Sequence, residues 1–159
     1  APLLMDEKHK VYKRVGTQNL TPLKALFVYS FIDKLIPKNP VSYFFWLMGW
    51  DRKNPKRVGA IPGSAFLMQK KVFEKVGGFD ELFFLFFEEY DLAQRLKKMG
   101  YFQYIIPESL IVHKWGVSTK QISNTNDIFI RSRDYYFRKH FGKINQVFVS
   151  FILNAKLKK

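Results

Sequence analysis

Six large apolar side chains stand in a row at Leu82-Phe83-Phe84-Leu85-Phe86-Phe87, with Asp80 and Glu81 before them and Glu88, Glu89 and Asp91 after. Leaving that run in water would cost on the order of several kcal/mol, so it is expected to be largely buried. Burial of the run pulls the flanking carboxylates to the rim of a core. The clustering stands out because the chain is otherwise basic: 27 Lys and Arg face 13 Asp and Glu in 159 residues, a formal charge of +14. Five of the thirteen acids fall within these twelve residues. As first-turn residues of a helix, Glu88, Glu89 and Asp91 are favoured by the helix dipole and face water. In the alternative, one carboxylate lies against an apolar wall, where desolvation favours its protonated form and makes it a better general base. Glu89-Tyr90-Asp91 also reads as a metal-binding pair, although two alternating carboxylates carry little specificity.

Other classes fall away on composition. An apolar content of 47%, with 18% aromatics, is enough to bury a sizeable core and excludes disorder as the default. The positive charge favours contact with phosphate, whether on nucleic acid, anionic lipid or a nucleotide diphosphate. Without cysteine there is no disulfide staple, zinc finger or thiol nucleophile. The opening Ala1-Pro2-Leu3-Leu4 shows no signal-peptide pattern and reads as a cut edge. The longest apolar run falls far short of the roughly 18 to 20 residues of a membrane-crossing helix. No Gly-rich phosphate loop, histidine pair at metal spacing or Gly-x-Ser-x-Gly elbow occurs, so the usual dehydrogenase, kinase, metalloprotease and hydrolase readings lose support.

The pattern along the chain predicts an α/β fold. Residues 1–20 are polar and basic and are expected to be weakly ordered. Thr21-Pro22 reads as an N-cap followed by proline in the first helical turn, opening a helix with Leu23, Leu26, Phe27, Ser30, Phe31 and Leu35 on its apolar face until Pro37. The aromatic stretch 41–50 has no clear type, and 51–57 is a charged loop. Strand, kink at Pro62-Gly63 and strand are expected over 58–69, then a short helix over 70–76 ending at Gly77-Gly78. An amphipathic helix over 88–99 should bury Leu92, Leu96 and Met99. Strands 101–106 and 110–112 follow, separated by Pro107, and after Thr119 two helices break near Gly142. In the last of these, Ile144, Val147, Phe148, Phe151, Ile152 and Ala155 keep helical spacing, with Lys143, Lys156, Lys158 and Lys159 near the ends. Such a helix either lies on an anionic membrane surface or packs on further protein. His113 ends a strand, the edge at which open α/β sheets bind ligands, though a lone histidine there is as readily a structural hydrogen-bonder. Neither His9 nor His140 has a comparable setting.

In order, Pro62-Gly63-Ser64-Ala65-Phe66-Leu67-Met68, Val76-Gly77-Gly78-Phe79-Asp80-Glu81-Leu82, Phe87-Glu88-Glu89-Tyr90-Asp91-Leu92, Arg95-Leu96, Gly100-Tyr101, Pro107-Glu108 and Val112-His113 through Ser118 resemble one family. It is the C-terminal half of the rhamnosyltransferase-like members of glycosyltransferase family 2. The resemblance implies a partial GT-A fold, Rossmann-like, of an inverting nucleotide-diphospho-sugar transferase in cell-surface polysaccharide synthesis. It implies Glu89 as the base that takes the acceptor proton, with Glu88 and Asp91 as competitors, because the family usually carries Glu-Asp at the pair. Asp91 and Arg95, one turn apart, equally read as a helix-ordering ion pair. It further implies His113 near a divalent metal, Mg2+ or Mn2+, and Gly63, Ser64, Asp80, Arg95 and Trp115 on the substrate side. The partners implied are a nucleotide-diphospho-sugar donor and a saccharide or lipid-linked saccharide acceptor, in the cytoplasm or at the inner face of the membrane.

The family's upstream Asp-x-Asp motif does not occur in this sequence. The expected organisation is therefore a polar segment with helices over 1–57, the acceptor and catalytic half over 58–119, and basic helices over 120–159. The donor-nucleotide side, and with it activity of the isolated chain, is expected to be missing. A basic nucleic-acid-binding module and a non-catalytic membrane-surface protein are the competing classes. The first suffers because the aromatics sit in apolar runs and do not alternate with Lys and Arg as stacking platforms do.

Overall fold

The computed structural model describes residues 1–36 and 39–154. The mixed α/β class holds, in a small three-stranded sheet. Strand β1 (Pro2–Met5) runs parallel to β3 (Gln103–Val112), and β2 (Lys56–Val58) pairs antiparallel with the other side of β3. The opening segment, expected to be weakly ordered, instead supplies core: Leu3, Leu4, Val15 and Leu20 are buried, the first three packed with Trp50, Val58, Ile61 and Ile105. Four apolar residues whose parallel partner lies about a hundred positions away leave no local signature. Pro107 does not separate two strands. It lies within β3 where the β1 ladder slips from Pro2 opposite Ile106 to Leu3 opposite Leu110, so its missing N–H breaks no ladder bond.

Helix α1 (Pro22–Tyr29) starts as its cap predicts, with the Thr21 hydroxyl accepting from the Lys24 amide. It stops at Ser30, which is extended and whose hydroxyl accepts from the Ile32 amide to open α2 (Phe31–Leu35). That break takes Phe31 and Leu35 out of the expected buried face and leaves them exposed; within α1 itself Leu23 is exposed too, while Ala25, Leu26 and Val28 pack inward. Pro37 lies outside the described residues. Asn39 caps α3 (Pro40–Phe45), which settles the type of the first part of the 41–50 stretch. After β2 the chain makes a bridge between Thr17 and Ala60 but no second strand before α4 (Lys70–Lys75), contrary to the strand, kink, strand expectation. Gly77 and Gly78 take φ +83° and +64° to end α4, as glycine there allows.

The apolar run 82–87 is only half buried. Phe83 and Phe87 enter the main core, but Leu82 and Phe84 are 72% and 74% exposed. The segment is bent, not helical or extended, so its side chains part to opposite sides. Helix α5 (Glu88–Lys98) then buries Leu92 and Leu96, with Met99 left exposed at its end. After β3 come α6 (Val117–Lys120) and α7 (Thr125–Asn154), the latter broken at Gly142, whose φ of +84° lies outside the helical region. Tyr136 and Phe137 of α7 sit fully buried in the main core against Phe87 and Tyr90 of the acidic segment. Beyond Gly142, Val149 and Leu153 pack inward, and Ile144 and Phe151 are 86% and 79% exposed. Ala155, Lys156, Lys158 and Lys159 lie outside the described residues. No helix among the described residues is long and apolar enough to cross a membrane.

Candidate active site

Two successive aromatics, Phe86 and Phe87, take left-handed φ values of 66° and 67° immediately before α5. Bulky residues adopt that region only when their surroundings compel it. Here Phe87 is clamped in the core between Tyr90, Tyr136 and Phe129, with ring centroids 5.3 to 5.8 Å away. The bend delivers the first turn of α5 to the wall of a cavity of about 360 Å3.

Glu88 and Glu89 both line that cavity, as the sequence led us to expect of the acidic pair. One oxygen of each carboxyl is buried without a hydrogen-bond partner. Burial, reinforced by the neighbouring Glu88 charge, pushes the Glu89 carboxyl up to about 7. Burial also raises Glu88. Among the described residues neither acid has an ion-pair partner, so desolvation acts on them almost unopposed. Tyr29 and Tyr90 stand beside the pair with their hydroxyls 3.4 Å apart, and burial raises the Tyr29 phenol to about 12.

Gly63 and Ser64 line the same cavity. A Cβ at Gly63 would sit 3.6 Å from Glu88 Oε1 and 3.9 Å from Glu89 Cβ, so backbone here runs directly over the carboxylates. His113 arrives from the end of β3. Its amide donates to the Met5 carbonyl at 2.9 Å and its carbonyl accepts from the Tyr12 hydroxyl at 2.9 Å. Trp115, which also lines the cavity, meets the His113 ring at 5.8 Å and the Tyr12 ring edge-on at 5.6 Å. Among the described residues no group of three His, Asp or Glu is placed to hold a metal ion. His113 is thus a single potential ligand, and the chain's described residues do not make a complete metal site.

The remaining expected site residues lie elsewhere. Asp80, Asp91 and Arg95 are not in the cavity but in an ion-pair network between α5 and α7. Asp91 is wholly buried, at 0% exposure, and meets Arg95 Nε at 2.8 Å, Lys139 Nζ at 2.6 Å and His140 Nε2 at 2.7 Å. Burial alone would raise its carboxyl, but hydrogen bonds from His140, Lys139 and Arg95 outweigh it and hold the group at about 2. Asp80 accepts from Lys139 at 2.6 Å and from the Tyr135 hydroxyl at 2.9 Å. Asp91 and Arg95 therefore realise the ion-pair alternative, and Asp91 does not compete with Glu89 for a ligand in the cavity. Sequence reasoning passed over His140 because its partner lies 49 positions away. It also missed Arg14, Tyr29 and Trp46, which line the cavity from the segment taken to be polar and the helices after it.

Two curated proteins match the chain: the N-acetylglucosaminyl-diphospho-decaprenol L-rhamnosyltransferases of Mycobacterium tuberculosis strains CDC 1551 / Oshkosh and ATCC 25618 / H37Rv. Each is 30% identical over 122 residues, which is 74% of this chain and 38% of the relative. The chain therefore spans well under half the length of these relatives. No protein-family model and no solved structure matches it.

Proposed function

This chain is related to the rhamnosyltransferase-like members of glycosyltransferase family 2, and we propose that it carries the acceptor side and the general base of an inverting sugar transferase. The observation that carries the reading is the Glu88–Glu89 pair in the cavity, unpaired with any cation, with Glu89 raised to about 7. A base whose pKa lies near the working pH removes a proton most effectively. In the proposed step an acceptor hydroxyl lies against Glu89. As its oxygen forms the bond to the anomeric carbon, the proton passes to the Glu89 carboxylate and the bond to the diphosphate breaks on the opposite face, which inverts the centre. Gly63 backbone and the aromatic faces of Trp46 and Trp115 offer the sugar a shaped, partly apolar seat.

Both matched relatives are named for rhamnose transfer to a lipid-linked, diphosphate-bearing N-acetylglucosamine. On that likeness we assign this chain a nucleotide-diphospho-sugar donor and a saccharide or lipid-linked saccharide acceptor in polysaccharide synthesis, at the inner face of the cell membrane. The exposed Ile144 and Phe151, beside Lys143, support a membrane-facing helix. The mixed sheet is read as part of a GT-A fold whose Asp-x-Asp and nucleotide-binding unit would come from chain beyond these 159 residues, which leaves the isolated chain inactive. A Mg2+ or Mn2+ ion stays in the proposal through His113 alone, and the step above does not draw on it. The test is Glu89→Gln in the protein with its donor half restored upstream. Transfer should fall about 10² to 10⁴-fold with donor binding kept; unchanged turnover would remove Glu89 as the base.

A further inference from the structure

Arg14 belongs to none of the motifs that led to this cavity, yet it lines it together with Glu88 and Glu89. Its guanidinium lies over the Trp46 ring, 4.7 Å from the centroid. The side chain is exposed, and none of the ion pairs among the described residues includes it. Stacking on an indole fixes the plane of a guanidinium and leaves its edge N–H groups free for a two-pronged contact with an oxyanion. Cations are abundant over the surface of a +14 chain, but Arg14 is the one permanently charged cation among the described residues lining this cavity.

That placement discriminates between ligands. An uncharged saccharide would bind the cavity without Arg14, whereas a diphosphate brought towards Glu88 and Glu89 is repelled unless a fixed cation offsets them. Trp46 also lines the cavity, and its Nε1 is a buried donor that no hydrogen bond among the described residues satisfies. We propose that Arg14, seated on Trp46, forms a diphosphate subsite of this cavity and sets its preference for diphosphate esters over neutral sugars. The inference rests on the transferase reading, in which donor and acceptor can each present a diphosphate: the nucleotide sugar and the lipid-linked saccharide.

The two sources separate by titration of the full chain with uridine diphosphate and with farnesyl diphosphate. The wild type should bind at least one of them, Arg14→Gln should weaken that binding about tenfold or more, and Arg14→Lys should recover only part of it. A loss confined to farnesyl diphosphate assigns the subsite to the acceptor, and a loss confined to uridine diphosphate assigns it to the donor. Equal affinities of wild type and Arg14→Gln for both probes, or no binding of either probe to the wild type, overturn it. Transfer measured in parallel, with the donor half restored, keeps the two readings apart. Turnover with unchanged KM for both substrates in Arg14→Gln overturns the subsite alone. Absence of transfer with Arg14-dependent binding retained overturns the transferase reading and leaves the subsite standing.

Discussion

The first turn of α5 carries carboxylates to two faces of the molecule, and the two faces treat them in opposite ways. Glu88 and Glu89 open on the cavity and make no ion pair among the described residues, and burial drives Glu89 up to about 7. Asp91, two residues on, is more completely buried yet is held at about 2, because Arg95, Lys139 and His140 converge on it. Desolvation acts on all three; the partners decide its outcome. Helix position, which makes all three acids look alike in sequence, says nothing of which will be basic enough to accept a proton. The distinction is made by α7, whose Lys139 and His140 reach one face of the turn only.

The largest effect that would test this contrast is on stability. Asp91→Ala should destabilise the fold by about 3 to 5 kcal/mol, because it leaves His140, Lys139 and Arg95 without their shared counter-charge. Urea unfolding measures it, and a loss below about 1 kcal/mol would show the network to be ornamental. The next effect is pH-dependent and has opposite signs on the two faces. Glu89 has a folded pKa of about 7 against an ordinary 4.5, so the native state binds its proton more tightly and stability falls as pH rises from 4.5 through about 7. The fall is at most on the order of 3 kcal/mol. Asp91 runs the other way: its folded value of about 2 lies below the ordinary 3.8, so its contribution is present above 3.8 and is lost as pH falls towards 2. Glu89→Gln should flatten the neutral decline and leave the acid limb intact. A decline of the same slope in the variant would move the titration to another group.

What could be seen in the sequence divides along the same line. Local signals held: the Thr21-Pro22 cap, the Gly77-Gly78 stop, the Leu92 and Leu96 stripe and the Gly142 break all follow from neighbours within a turn or two. Gly63, Ser64, Glu88, Glu89, His113 and Trp115, each singled out from the ordered motifs, lie around one cavity. The failures are long-range. β1 hides in a segment that reads as polar because only Leu3 and Leu4 and a partner strand far along the chain define it. Asp80 is expected on the substrate side because its real partner, Lys139, lies 59 positions away, whereas the Asp91–Arg95 pair, one turn apart, is legible in the spacing and only the bond of Arg95 to the Val76 carbonyl is not. The half-exposed 82–87 run shows the limit of reading burial from hydrophobicity: a bent segment splits its side chains whatever their type.

Smaller effects sharpen the contrast. His140→Gln removes one of the three partners of Asp91 and leaves Lys139 and Arg95 in place, so the expected loss is about 1 kcal/mol. Because His140 also packs against Tyr136 at 5.1 Å, His140→Ala should cost more than His140→Gln. Equal losses in the two variants would show that the ring packing against Tyr136 adds nothing and that the bond to Asp91 carries the whole effect.

The cavity face should tolerate change that the network face does not. A methyl group at Gly63 would meet Glu88 Oε1 at 3.6 Å and Glu89 Cβ at 3.9 Å, ordinary contact distances, and the backbone there is not left-handed. Gly63→Ala should therefore shift stability by no more than about 0.5 kcal/mol. Gly63→Leu, whose longer side chain has the cavity to enter, should be nearly as stable but should block ligand from the carboxylates, lowering uridine or farnesyl diphosphate binding and transfer together. A Gly63→Leu protein that melts many degrees lower would mean that the glycine is kept for packing. One that melts normally and has lost its ligand would mean that the space above Glu88 and Glu89 is kept open for chemistry, as the unpaired state of those two acids requires.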